Sequence, residues 1–307
     1  EQKQTIRRWI DAGMPTVAQQ RKEAIDPLMP AGKKHDIQQV AEAIDQHVEK
    51  RLSTADVTPA APADDVTFVR RAYLQLAGRV PTPDQAIAFL DDTSADKRAR
   101  LIESLLASPT FGEQLGRTWR DWICPPELPS DMNGGKQPHN EARELGEWFA
   151  KQLNDNRTWD AIVRELLTVD GEIKKQPHVI FYGLVGQDAK VTPDGTARTV
   201  ASLFMGVQIQ CAQCHDDPYR DWAQQQFWSS AAFFDGVQGD FKKINEKPSE
   251  AKITIPKSAF KNAGTNVPIA FLGQGDASQL DRKQAAWRPV FVDWLTRKDN
   301  PYFARAF

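Results

Sequence analysis

Between His35 and Leu52, Ile37, Val40, Ile44, Val48 and Leu52 recur every three or four positions, the period of one face of an α-helix. The stretch from Ser53 to Asp65, rich in Pro and Ala, reads as a linker. From Val66 the helical period returns. It predicts helices over residues 66–77, ended by Gly78, over 94–106, 109–123, 140–153 and 159–169, and one starting at Thr82-Pro83-Asp84-Gln85. Residues 236–275 change character, with β-like runs at 253–256 and 267–273 among Gly, Pro and Lys. Residues 279–296 return to helix. The fold class expected is mainly α, a multi-helix domain with a small β-containing insertion near residues 236–275. At the beginning, Ile6, Trp9 and Ile10 fall at helical spacing before Gly13 and Pro15, so residues 1–15 read as the closing helix of something larger. Residues 16–63 are then a connector, 64–298 the main domain, and the apolar 299–307 the start of a following one.

Charge narrows the function classes. Lys plus Arg number 39 and Asp plus Glu 41 in 307 residues, a net charge of −2 without the basic excess of a nucleic-acid binder. Hydrophobic residues make up 40%, enough for a sizeable core. No apolar run approaches the roughly 20 residues of a membrane span; short pieces such as Val179 to Val185 are the longest candidates. The three cysteines, Cys124, Cys211 and Cys214, are too few for a disulfide scaffold.

Two of them change the picture. Cys211-Ala212-Gln213-Cys214-His215 is C-x-x-C-H, the attachment signature of a c-type haem. On a helix, positions i, i+3 and i+4 share a face, so two thiols meet the porphyrin vinyls while the imidazole meets iron. Val200, Phe204, Val207, Cys211 and His215 extend one helical stripe into the motif. Pro218, Tyr219, Trp222, Phe227, Trp228, Phe233 and Phe234 supply aromatic and apolar bulk to wall off a macrocycle. A redox dithiol, half of a zinc site and structural cysteines are the alternatives. Met205 lies about 120° off the stripe and is set aside as a sixth ligand. His178, in a predicted loop, is the distal candidate, with His139, Met132, Met14 and Met29 behind it. Cys124 reads as a buried structural thiol, and His35 and His47 as solvated. Asp216, Asp217 and Asp221 read as a solvent-facing helix cap, with a paired acidic site as the alternative, and Lys242, Lys243 and Lys247 with Glu246 and Glu250 as a solvated loop, with a docking surface for a redox partner as the alternative.

Residues 68–92, 96–122, 204–222 (FMGVQIQCAQCHDDPYRDW) and 299–307 (DNPYFARAF) closely resemble the planctomycete cytochrome c-like family of large exported multidomain proteins. The resemblance implies haem c linked to Cys211 and Cys214, His215 on the iron, and a location in the periplasm or cell envelope. It also implies that residues 1–15 close a cytochrome c domain and that residue 307 enters the next domain. Many relatives carry a second histidine where this chain has Asp217. The expected function is an electron-transfer module serving a redox partner protein or a neighbouring haem domain. The alternatives are a haem enzyme or small-ligand sensor with an open sixth position, and a non-haem structural or binding module of the envelope.

Overall fold

The computed structural model describes residues 36–124, 139–259, 262–273 and 286–306. Met14, Met29, His35, Met132, the side chain of His139, and the expected elements at 1–35 and 279–285 lie outside the described residues.

A first helix, α1 (Ile37–Thr54), is followed by an extended Pro/Ala segment. Three short helices come next: α2 (Asp65–Ala77), α3 (Pro83–Asp91) and α4 (Lys97–Leu106). Their boundaries have local causes. Asp64 accepts the Thr67 N–H at the start of α2, and Gly78, at φ 67°, ends it in a left-handed conformation that a side chain resists. Thr82 and Gln85 exchange bonds across the start of α3, with Pro83 in its first turn. These helices bury a satellite core of Val69, Ala72, Tyr73, Ala77, Phe89 and Leu105.

The larger core begins with α5 (Pro109–Ile123) and α6 (His139–Asn154). They pack closely because small residues line the contact. A Cβ on Gly116 would strike the Gly146 carbonyl oxygen and lie 2.8 Å from the Ala150 nitrogen. Above this pair sit α7 (Trp159–Thr168), the wholly buried α8 (Ile180–Val185), α9 (Pro193–Met205) and α10 (Gln224–Ala231). Trp119, Phe149, Trp159 and Phe204 form one aromatic stack through the middle, with centroid separations of 4.4 to 6.4 Å.

The β-structure is more dispersed than a single insertion. β2 (Val237–Asp240) and β3 (Lys243–Glu246) form an antiparallel hairpin. β1 (Gly171–Glu172), from the helical part of the sequence, adds to the free edge of β3 and sets Gly171 opposite Ile244. β4 (Lys252–Thr254) and β5 (Asn266–Pro268) make a separate pair. The chain closes with α11 (Arg288–Leu295) and α12 (Phe303–Ala306), and Tyr302 and Phe303 pack against the larger core.

The expected solvated loop at 242–250 needs correction. The Glu246 side chain is only 5% exposed, and its Oε2 accepts from Arg288 Nε at 2.9 Å, while Oε1 accepts the backbone N–H groups of Trp287 and Arg288. Arg288, 1% exposed, also donates to Asp170 Oδ1 at 2.7 Å and to the Val169 carbonyl at 2.8 Å. It stands over the Tyr182 ring. This buried cation ties together the segment after α7, β3 and α11. Among the described residues no helix is long and apolar enough to cross a membrane.

Candidate functional site

The C-x-x-C-H sequence is not on a helical stripe. Helix α9 starts where Thr192 accepts the Gly195 N–H and Pro193 stands in the first turn; it stops at Met205, because Gly206 takes φ 64°. Val200, Phe204 and Met205 therefore belong to α9, whereas Cys211 belongs to a short 3-10 turn, Gln210–Gln213, and His215 follows it. Apolar periodicity continues through residues 200–211, yet the glycine redirects the backbone.

Ile209 and Ala212 point inward, fully buried, and anchor the turn. Cys211 and His215 are exposed and Cys214 is half-buried; none of the three cysteines is in a disulfide. Polar staples hold the turn in place. Gln213 Nε2 donates to Asp194 Oδ2 in the first turn of α9 at 2.8 Å. Gln224 Nε2 donates to the Cys214 carbonyl at 2.8 Å, and Trp228 Nε1 to the Gln213 carbonyl at 3.0 Å. Gln224 is itself fully buried, and its Oε1 accepts from Asn262 Nδ2 at 3.0 Å. Burying a primary amide is costly unless its bonds are made; here they are made to the motif backbone. Asp194, Gln224 and Asn262 were not legible as site residues, and Trp228 was read only as bulk of the wall. Gln224 opens a run of three glutamines that reads as surface.

Beyond the turn, His215 Nδ1 lies 2.7 Å from the Asp216 carbonyl oxygen. A carbonyl only accepts, so Nδ1 carries the proton and Nε2 keeps the lone pair a metal needs. Asp216 Oδ1 accepts the Gln224 N–H at the start of α10, in keeping with a capping role. Asp217 departs from that expectation. Its side chain is buried, and Oδ1 accepts the backbone N–H groups of Tyr219 and Arg220 at 2.8 and 3.2 Å. Its own N–H donates to the Trp222 carbonyl, closing the loop 217–222 behind the histidine. Asp221 is exposed.

The aromatic wall also needs correction. Phe227 and Trp228 are buried on the inward face of α10, and Phe233 and Phe234, on the 3-10 turn Ala232–Phe234 that follows, are buried against Phe291. Tyr219 is exposed and Trp222 half-buried. Cys124, half-buried, has its thiol pushed up by burial, which fits an unreactive structural role.

His178 sits on a 3-10 turn, Pro177–Val179, 1% exposed, with its ring stacked on Trp148 at 4.4 Å. Glu165 Oε1 is 3.9 Å from its Nε2, and Glu165 is held by Arg157. The ring's neighbours thus come from α6 and α7, not from the motif turn. Burial outweighs Glu165 and pulls its pKa down to about 4. The folded protein therefore holds His178 neutral where the unfolded chain, near pH 6.5 and below, takes up a proton. Stability from this group is complete above about pH 6.5 and falls as pH drops to about 4, by on the order of 3 kcal/mol. His178→Phe should remove that component. Denaturant midpoints between about pH 7 and pH 4.5 should fall less in the variant than in wild type, and equal falls would refute it.

The donor set at the motif fits covalent haem: two thiols outside any disulfide three residues apart, and an imidazole presenting Nε2. Among the described residues no three His, Cys, Asp or Glu side chains converge as the ligands of a bare metal ion do. Two clefts of about 450 and 620 Å³ are lined in common by Pro248, Ser249, Glu250 and Lys252, and no motif residue lines either.

A protein-family profile described as PSCyt2, protein of unknown function (DUF1549), matches residues 43–239. The chain belongs to this family. The PSCyt2 match, to a family known from planctomycete-type proteins, takes in α2 to α10 and with them the whole motif turn and its staples on α9 and α10. Searches among curated proteins and among solved structures find no match.

Proposed function

We propose that Cys211 and Cys214 hold haem c through thioethers, that His215 is the proximal iron ligand, and that the chain is a c-type cytochrome module. It transfers electrons to or from a redox partner protein or a neighbouring haem domain of a larger exported protein, in the periplasm or cell envelope. The observation that carries this reading is the stapled turn, which leaves Cys211 exposed and Cys214 half-buried, both outside any disulfide, and is followed by His215 with its Nδ1 engaged so that Nε2 is left to bind iron. Cys211 and Cys214 would hold the group by adding across its vinyls, each sulfur bonding one carbon and its proton passing to the other, so that no oxidant would be consumed. Bound haem supplies one-electron iron chemistry, tuned by its ligands and burial. The protein's part is orientation: Gln224 and Trp228 fix the motif carbonyls, and Asp217 fixes the loop behind His215.

The place of His178, locked between Trp148 and Glu165, favours a second reading in which the sixth position is open to a small ligand. Rapid carbon monoxide binding to the reduced protein supports it, and an unchanged spectrum supports electron transfer.

Made alongside haem-maturation machinery, the protein should give a haem-stained band that survives denaturing electrophoresis. Cys211→Ala with Cys214→Ala should lose the band and keep the helical circular dichroism. A colourless wild-type product would overturn the haem reading.

A further inference from the structure

At one end of the three-stranded sheet, three turns meet and gather lysines that are far apart in sequence. The turn between β2 and β3 carries Lys242 and Lys243, fixed by Asp240, whose Oδ1 accepts both backbone N–H groups at 2.8 and 3.2 Å. On one flank the Ile173 N–H donates to the Lys242 carbonyl at 2.8 Å, which brings up Lys174 and Lys175 after β1. On the other flank Lys190 pairs with Asp240 as a β-bridge, and the Phe241 N–H donates to the Ala189 carbonyl at 3.1 Å. All five lysines are exposed.

Three carboxylates share this rim: Glu172, Asp188 and Asp240. Asp240 is turned into its own backbone, and Glu172 lies 3.6 Å from Lys243. Among the described residues, Lys174, Lys175 and Lys190 have no ion-pair partner. A positive excess therefore stands on a chain whose net charge is −2. Lys190 lies four residues before Asp194, which holds Gln213 between the two cysteines.

We propose that this rim docks the acidic face of a protein that exchanges electrons with the motif, a proposal that rests on the electron-transfer reading. Lysines interleaved with carboxylates, and no arginine among residues 171–175, 187–190 and 240–243, suit contact between two protein surfaces. A phosphate backbone is met instead by an unbroken basic stripe or by bidentate guanidinium forks. The motif loop has the opposite sign, with Asp216 and Asp221 exposed. The surface is thus dipolar, and complementarity sets the partner's orientation as well as its place.

The test is association of the full chain with poly-L-glutamate, followed at low salt and again near physiological ionic strength, where the Debye length is about 8 Å. Wild type should bind at low salt. Changing Lys174, Lys175, Lys242 and Lys243 together to Glu should weaken binding about tenfold or more. Changing Lys50, Lys151, Lys257 and Lys298 to Glu, the same shift in net charge elsewhere, should leave most of it. Equal losses in the two variants, or none in the rim variant, overturn the proposal. Tighter binding to heparin than to poly-L-glutamate of matched charge also overturns it, in favour of a polysaccharide. The same comparison in the Cys211→Ala, Cys214→Ala background separates the two ideas. Rim-dependent binding there, with a colourless wild type, fails the haem reading and leaves the docking surface standing.

Discussion

Arg288→Met should destabilise the fold by about 3–5 kcal/mol, the range found when one partner of a buried ion pair is removed. The cause lies less in the lost attraction than in what stays behind. Glu246 has a side chain only 5% exposed, and without the guanidinium it keeps two backbone N–H donors but no countercharge. Arg288→Met with Glu246→Gln should recover part of the loss, since a neutral amide still accepts from the Trp287 and Arg288 nitrogens. Chemical denaturation of the three proteins at neutral pH checks this; a double variant no more stable than the single would sink the argument.

Gly116→Val should cost about 3 kcal/mol, the upper part of the usual overpacking range. The added carbons would meet backbone rather than flexible side chains, so α5 and α6 must move apart. Gly116→Ala should cost less, since it adds only the Cβ. The aromatic stack seated on this pair would move too, and near-ultraviolet circular dichroism should record it. A melting temperature unchanged in Gly116→Val would show that the helices are not held at this distance.

The helices with strong punctuation were legible. Residues 109–123 coincide with α5, and Thr82, Pro83 and Gln85 mark the start of α3 as predicted. Other elements carry too little signal. β1 is two residues long and exists only because β3 offers an edge to it. All six residues of α8 are buried, so no polar face gives it a period. At the motif the two signals disagreed: the apolar period ran on past residue 205, while Gly206 marked a stop, and the glycine prevailed because a left-handed residue ends a helix whatever follows. The C-x-x-C-H spacing of Cys211, Cys214 and His215, on which the proposed chemistry rests, was plain in the sequence. Its support was not, since Gln224 and Asn262 acquire meaning only once tertiary contacts bury the first against the second.

The helix stop at Gly206 bears on the order of events in maturation. Two cysteines three apart on a packed helix share a face, and where that face turned to the core both would have to be loaded before the helix docked. Here the thiols ride on a turn outside α9, with Cys211 exposed and the core sealed beneath by Ile209 and Ala212. On the proposed haem reading, an attaching enzyme could therefore work on the finished fold, and a chain that missed haem would keep its shape and could be offered another.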